Sequence, residues 1–128
     1  MRLILDTHAF LWWITDDPRL SPRARQVMGN AHNELFLSVA SAWEIAIKTR
    51  LARLSLEERA DRFVPGQLSR NGISPLPIEM SHALYTTRLP DIHRDPFDRL
   101  IIAQSVLERL PVVTKDSVIA RYKVETIW

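Results

Sequence analysis

The sequence predicts an α/β fold with a mainly parallel sheet covered by helices on both faces. Three observations carry that expectation. Short apolar runs (RLIL at 2–5, LFLSV at 35–39, VVT at 112–114) are bounded by turn-forming residues, as strands are. They are close to continuously apolar instead of alternating, the pattern of strands buried on both faces. Helix-length segments separate them, and parallel neighbours need such crossovers.

Taken in order, Arg2–Leu5 is the first strand, followed by Asp6-Thr7 and an apolar helix from His8 to Ile14 that ends toward Asp16-Asp17-Pro18. Ser21-Pro22 opens a second helix with a cap-plus-proline start and runs to about Met28, before Gly29-Asn30. Leu35–Val39 is the second strand. Ser41–Leu51 is a helix with Trp43, Ile47 and Leu51 on one apolar stripe and Lys48 one turn beyond Glu44. Leu56 to about Ser69 is helical, with a break expected at Pro65-Gly66. Ile73–Leu76 is a short third strand, and Glu79–Arg88 is a helix closed by Leu89-Pro90. Pro96–Leu110 is the longest helix, stopped by Pro111. Val112–Thr114 is the fourth strand, Asp116–Arg121 a short helix or turn, and Val124–Ile127 a last strand. Strand order is left open by these signals.

The 128 residues, 46% hydrophobic and 25% charged, fit one globular domain spanning 1–128 with a real core. No apolar run approaches the roughly 20 residues of a membrane span, and MRLILD turns acidic too early for a signal peptide. A cytoplasmic protein without membrane contact is the expectation. With no cysteine, disulfides and thiolate ligands are excluded, so any metal is held by oxygen or imidazole. The net charge of +2 does not by itself point to nucleic acid. Lys48, Lys115 and Lys123 are the only lysines among 17 basic residues. Arginine suits bidentate recognition of phosphate or carboxylate, although a GC-rich genome produces the same bias.

Four acids fall at junctions between these elements. Asp6 ends the first strand, Asp116 follows the fourth, Glu44 lies in the first turn of the helix after the second strand, and Asp98 in the first turn of the longest helix. In parallel α/β sheets, strand ends and helix starts share the edge where ligands bind. Each acid also has a capping explanation: Asp6 and Asp116 as N-caps, Ser41-Ala42-Trp43-Glu44 as a capping box, and Asp95-Pro96-Phe97-Asp98 as cap, first-position proline and first-turn acid. The joint pattern asks for more, because carboxylates crowded at one edge repel one another. A divalent cation relieves that repulsion, and hard oxygen ligands suit Mg²⁺ or Mn²⁺.

The stretches LILDTHAFLWW at 3–13, SVASAWEIAIK at 38–48, HRDPFDRLIIAQS at 93–105 and VVTKDSVIARYKV at 112–124 resemble PIN-domain ribonucleases, specifically the VapC-type toxins of prokaryotic toxin–antitoxin pairs. The resemblance keeps the family's order and spacing over nearly the whole chain. It implies the PIN three-layer α/β/α sandwich and endoribonuclease cleavage of structured RNA dependent on Mg²⁺ or Mn²⁺. By the same resemblance, Asp6, Glu44 and Asp98 are metal-associated and Asp116 completes or supports the site. It further implies a homodimer silenced by a cognate antitoxin whose tail enters the active-site groove. Ser105 replaces the alanine that many relatives carry after AQ.

Other side chains have two readings. Thr7 and Thr114 orient a ligand or water, or are plain cap and strand-end hydroxyls. Arg99 reaches RNA phosphate or a neighbouring carboxylate, or is a solvated helix-face arginine. Lys48 is a helix pair to Glu44 or tunes the charge of the site. None of His8, His32, His82 and His93 shows paired metal-ligand spacing; His8 is the one nearest the proposed site. Trp12, Trp13 and Trp43 favour core or interface packing over base stacking. Competing functions are a receiver-type phosphoacceptor domain, a haloacid-dehalogenase-type phosphatase, a DNA-directed nuclease and a non-catalytic binding domain. Thr7-His8 after Asp6 fits neither of the first two, because a receiver needs neighbouring acids there and the phosphatase a second aspartate two residues on.

Overall fold

Five parallel strands form one sheet in the order β3-β2-β1-β4-β5 in the computed structural model, which describes residues 1–128. They are β1 (Arg2–Leu5), β2 (Glu34–Ser38), β3 (Ile73–Leu76), β4 (Val112–Val113) and β5 (Thr126–Ile127). The register aligns Leu5 with Leu37 of β2 and with Val113 of β4, so β1 sits at the centre. Six α-helices accompany the strands: α1 (Thr7–Ile14), α2 (Pro22–Gly29), α3 (Val39–Arg50), α4 (Ala60–Asn71), α5 (Met80–Tyr85) and α6 (Pro96–Glu108).

Side chains alternate across a strand, and the two faces of β1 use that alternation to bury different helices. Leu3 and Leu5 join Phe10 of α1, Ile45 of α3 and Phe63 and Val64 of α4. Ile4, one residue out of phase, packs with Ile101 of α6, Leu110 and Val112. The helices therefore cover both faces, as expected of a three-layer sandwich.

Several local expectations need correction. α4 continues through Pro65 instead of breaking there: Phe63 and Val64 anchor that turn in the core, which outweighs one lost helical hydrogen bond. Gly72 then ends α4 in the left-handed conformation (φ 62°) and turns the chain into β3. α3 starts at Val39, two residues early, because Ser38 supplies the cap, accepting the Ala40 amide at 3.0 Å. Ser41 and Glu44 consequently do not form a capping box, and Glu44 lies in the second turn. The stripe of Trp43 and Leu51 faces solvent; Ala40, Ser41, Glu44 and Ile45 form the buried face of α3. The helix expected over 79–88 shortens to α5 followed by a 3₁₀ turn at Thr86–Arg88.

The start of α6 follows the sequence closely. Asp95 accepts the amides of Phe97 at 2.8 Å and Asp98 at 3.3 Å, and Pro96 occupies the first helical position. At its end Arg109 is left-handed, and Ser105 Oγ donates to the Leu110 carbonyl, securing the turn into β4. Asp95→Ala is expected to lower unfolding stability by about 0.5–2 kcal/mol, read from urea denaturation, because two helix amides lose their acceptor; an unchanged midpoint would show that Asp95 does not hold the helix start.

Candidate metal-binding site

All five strands point the same way, so their C-terminal ends line one edge. From β1 the chain builds outward through β2 and β3, then returns to β4 on the other side of β1. The switch point, where such sheets open a crevice, lies between β1 and β4. Asp6, directly after β1, and Asp116, just beyond β4, flank it.

Asp6 is 5% exposed and caps α1, accepting the Ala9 amide at 2.7 Å, while its other oxygen accepts from Thr114 Oγ1. Burial pushes its pKa above the usual carboxylate value, and these two hydrogen bonds oppose that rise. Thr114 also receives the Asp116 amide at 2.9 Å, so one hydroxyl ties the two flanks of the switch point together.

Glu44 enters from α3 and is equally buried. Its Oε1 accepts from Thr7 Oγ1 at 2.6 Å, and its Oε2 meets Lys48 Nζ at 2.8 Å. Thr7 Oγ1 also lies 2.9 Å from Ser41 Oγ. An ionised carboxylate only accepts, so the Thr7 proton goes to Glu44 and Ser41 donates to Thr7. Thr7 and Thr114 thus each orient an acid, and Lys48 partners Glu44 within the site.

Asp98 projects from the first turn of α6. Burial raises its pKa most, the charges of Asp95, Glu44 and Asp6 raise it further, and His93 pulls it back, leaving it at about 7. Asp116 is held on the low side: burial pushes it up, but the bond from His93 and the amides of Val118 and Ile119 outweigh that cost. His93 Nε2 sits between the two acids, 3.1 Å from Asp98 Oδ2 and 2.9 Å from Asp116 Oδ2. His93, Asp98 and Asp116 each offer one potential ligand atom, all within 4.8 Å of one another. The structure therefore brings Asp98 and Asp116 together at His93. Asp6 and Glu44 stand near enough to act on the charge of Asp98 but are engaged by partners of their own.

His8 is singled out in the sequence by its nearness to Asp6, whereas His93, set aside there with the other histidines for want of ligand spacing, is the one that stands between two of the acids. Its available signal is position: it lies five residues before Asp98, on the loop that feeds the helix start to the sheet edge. That loop is held by two side chains. Arg99 donates to the carbonyls of Thr86 (2.7 Å), Pro90 (3.0 Å), Leu89 and His93 (both 3.3 Å), so it is neither a free phosphate ligand nor a solvated arginine. Tyr122 Oη accepts the amides of His93 at 2.7 Å and Ile92 at 3.3 Å and donates to Pro90 O at 2.9 Å.

A cavity of about 360 Å³ adjoins the acids, lined by Asp6, His8, Trp12, Lys115, Asp116 and Ser117. His8 and Trp12 also wall a neighbouring cavity of about 410 Å³ that includes Arg19, Lys48 and Arg53. The Trp12 ring carries Arg19 at 4.9 Å and Lys115 at 6.0 Å, cations held on an aromatic face. The largest cavity, about 900 Å³ between the end of α3 and the start of α4, touches none of the four acids. Trp13 is packed, donating to Asn71 at 3.1 Å, whereas Trp43 is 58% exposed and meets Phe97 edge-on at 5.3 Å.

The PIN domain family profile matches residues 3–125. Ribonuclease VapC16 of Mycobacterium tuberculosis is 39% identical over 72 residues, covering 53% of this chain and 51% of that protein. This alignment spans about half the length of that relative. Ribonuclease VapC22 of the same organism is 32% identical over 120 residues, covering 89% of this chain and 86% of that protein. The crystal structure of VapBC2 from Rickettsia felis, bound to a promoter DNA fragment, superposes with a TM-score of 0.70 at 16% identity over 98% of this chain and 97% of that one. No helix is long and apolar enough to cross a membrane.

The acids have a consequence for stability. A carboxyl whose folded pKa is raised to about 7 from 3.8 binds more protons in the native state than in the unfolded state. Its contribution is complete below the unfolded pKa and is lost as pH rises through the folded one. Asp6 acts in the same direction. Asp116 has the opposite sign, so its contribution is lost only as pH falls below the ordinary carboxylate range. In chelator, the melting temperature is expected to fall as pH rises from about 4 to about 7, and Asp98→Asn is expected to flatten that slope. A wild-type slope retained in Asp98→Asn would place the titration elsewhere.

Proposed function

The chain belongs to the PIN-domain family, and on that premise we propose that it is a divalent-metal-dependent endoribonuclease, the toxin of a VapC-type toxin–antitoxin pair, acting on structured RNA in the cytoplasm. The observation that carries this reading is the convergence of Asp6, Glu44, Asp98 and Asp116 on one sheet edge, with Asp98 raised to about 7 by burial and by its acidic neighbours. A carboxylate under that strain fits a site that a cation completes. The donor set, oxygen-rich and without thiolate, suits Mg²⁺ or Mn²⁺. The relatives named ribonucleases support RNA as the substrate class.

Asp6 and Asp98 are proposed as direct ligands, Asp116 as a ligand or a support to one, and Glu44 as a ligand or an orienter of the attacking water. When bound, the cation supplies charge neutralisation at the phosphoryl oxygens and a more acidic water. Thr114 and Thr7 aim Asp6 and Glu44, so those carboxylates would meet a cation already oriented. Lys48 offsets the charge of Glu44. Lys115 over the Trp12 ring gives the RNA backbone a cation next to the acids. The proposed partners are a cognate antitoxin and a second copy of the chain. The exposed apolar side chains Val39 and Trp43 on α3 and Met80 and Leu84 on α5 support a dimer.

With Mn²⁺ and a structured RNA, Asp6→Asn and Asp98→Asn are each expected to lower the cleavage rate by at least about 10²-fold, the scale of losing one charge-stabilising group. Wild-type cleavage by either variant would end the nuclease reading. DNA of the same sequence, expected to stay intact, tests the choice of nucleic acid. Lys115→Gln is expected to raise KM, leave kcat nearly unchanged and reduce the salt slope of RNA binding by roughly one. Light scattering is expected to give twice the 14.8 kDa chain mass, and a monomer for Trp43→Arg would place α3 in the interface; a monomeric wild type would remove the dimer.

A further inference from the structure

We propose that His93 is a positioning residue of this pocket: its Nε2–H holds Asp116 and Asp98 in register for a divalent cation, and His93 does not itself ligate the ion. The inference rests on the metal-nuclease reading above and adds a residue to it.

The argument begins at the other ring nitrogen. The amide of Asp95 donates to His93 Nδ1 at 3.2 Å. A backbone N–H can only donate, so Nδ1 presents its lone pair and the ring proton resides on Nε2. That proton is aimed at Asp116 Oδ2, 2.9 Å away, while Asp98 Oδ2 lies 3.1 Å from the same nitrogen. An Nε2 that carries a proton has no lone pair for a cation. Becoming a ligand would require the proton to move to Nδ1, where it would face the Asp95 N–H and break that bond. Imidazole ligation is thus opposed by the backbone of the residue that caps α6.

The ring has little freedom to escape this arrangement. The His93 side chain is 15% exposed. Its backbone amide donates to Tyr122 Oη at 2.7 Å, and its carbonyl accepts from Arg99 at 3.3 Å. The loop runs between Pro90 and Pro96, and Arg99 grips the same loop at Leu89 and Pro90. Its consequence is chemical: two carboxylates that repel one another meet at one Nε2, which donates to Asp116 and has Asp98 3.1 Å away. Their separation is set before a cation arrives, so less ordering is left to the binding step.

Full-length protein labelled with ¹⁵N-histidine tests this, with the His93 resonances assigned by their loss in His93→Gln. Long-range ¹H–¹⁵N correlation is expected to show Nε2 protonated and Nδ1 unprotonated, in chelator and after addition of Mg²⁺. Electron spin echo spectra of bound Mn²⁺ are expected to show no directly coordinated imidazole nitrogen. In Mn²⁺ titration calorimetry, His93→Ala is expected to weaken binding by about 10–100-fold, as removal of a ligand's partner does. His93→Gln, whose side-chain amide can donate from a similar place, is expected to recover part of that loss. A protonated Nδ1, a coordinated nitrogen, or wild-type affinity in His93→Ala would each overturn the proposal. Should His93→Ala fail to fold, the two spectra on wild-type protein decide alone. Asp98→Asn in the same titration separates the two readings: if it loses Mn²⁺ while His93→Ala keeps it, only the role of His93 falls. If Asp98→Asn also binds like wild type, the metal site falls with it.

Discussion

Mutual repulsion among desolvated carboxylates is the constraint around which the rest of this structure is arranged. Asp6 and Glu44 are almost fully buried, and Asp98 feels both of them together with Asp95. Burying charge without compensation is among the costliest things a small domain can do. The chain answers with individually assigned donors: Thr114 and the Ala9 amide to Asp6, Thr7 and Lys48 to Glu44, and His93 with the Val118 amide to Asp116. The Asp98 carboxylate accepts no well-aligned hydrogen bond of this kind, and burial together with its acidic neighbours raises its pKa to about 7. What the fold leaves unsolved there is what a cation is suited to solve.

Those donors are in place because of the topology. With the switch point between β1 and β4, the residue after β1 and the residues after β4 must emerge side by side, and Thr114 bridges them. α3 and α6 bring their N-terminal halves to the same edge on opposite faces of the sheet, seated by Ile45 on one face and Ile101 on the other. The loop before α6 lacks such an apolar anchor of its own. Arg99 and Tyr122 replace it with polar contacts to six backbone groups between Thr86 and His93, among them Pro90 O, Leu89 O and the His93 amide.

Much of this was legible in the sequence because periodicity and caps report burial and helix starts directly. The strands around Leu3, Leu35 and Ile73, the Asp95-Pro96 start and the four acids at junctions are all patterns within a few neighbouring residues. What the sequence hid depends on contacts between distant positions. Ser38 and Ser41 are both plausible caps, and only packing of Ala40 and Ile45 into the core selects Ser38. Pro65 reads as a break unless the burial of Phe63 and Val64 is known. Trp43 and Leu51 look like core, yet the helix turns Glu44 inward instead, an orientation fixed by Thr7, 37 positions away. His93 and Arg99 carry no spacing signal, because their partners are carbonyls and carboxylates brought together by the fold.

The division of labour within DPFD follows from the same physics. Asp95 and Asp98 differ by three positions and share one charge type, but Asp95 places its oxygen on two amide donors of the first turn, whereas Asp98 projects past them toward Glu44 and Asp6. The amide of Asp95 meanwhile fixes the His93 ring. One residue therefore uses its side chain to start the helix and its backbone to orient the imidazole that steadies the neighbouring acids. Shortening the loop between Pro90 and Pro96 would disturb helix start and site geometry together, because both depend on where the same peptide group points. Structural and chemical roles at this edge are separable by side chain, as the two aspartates are, but not by backbone.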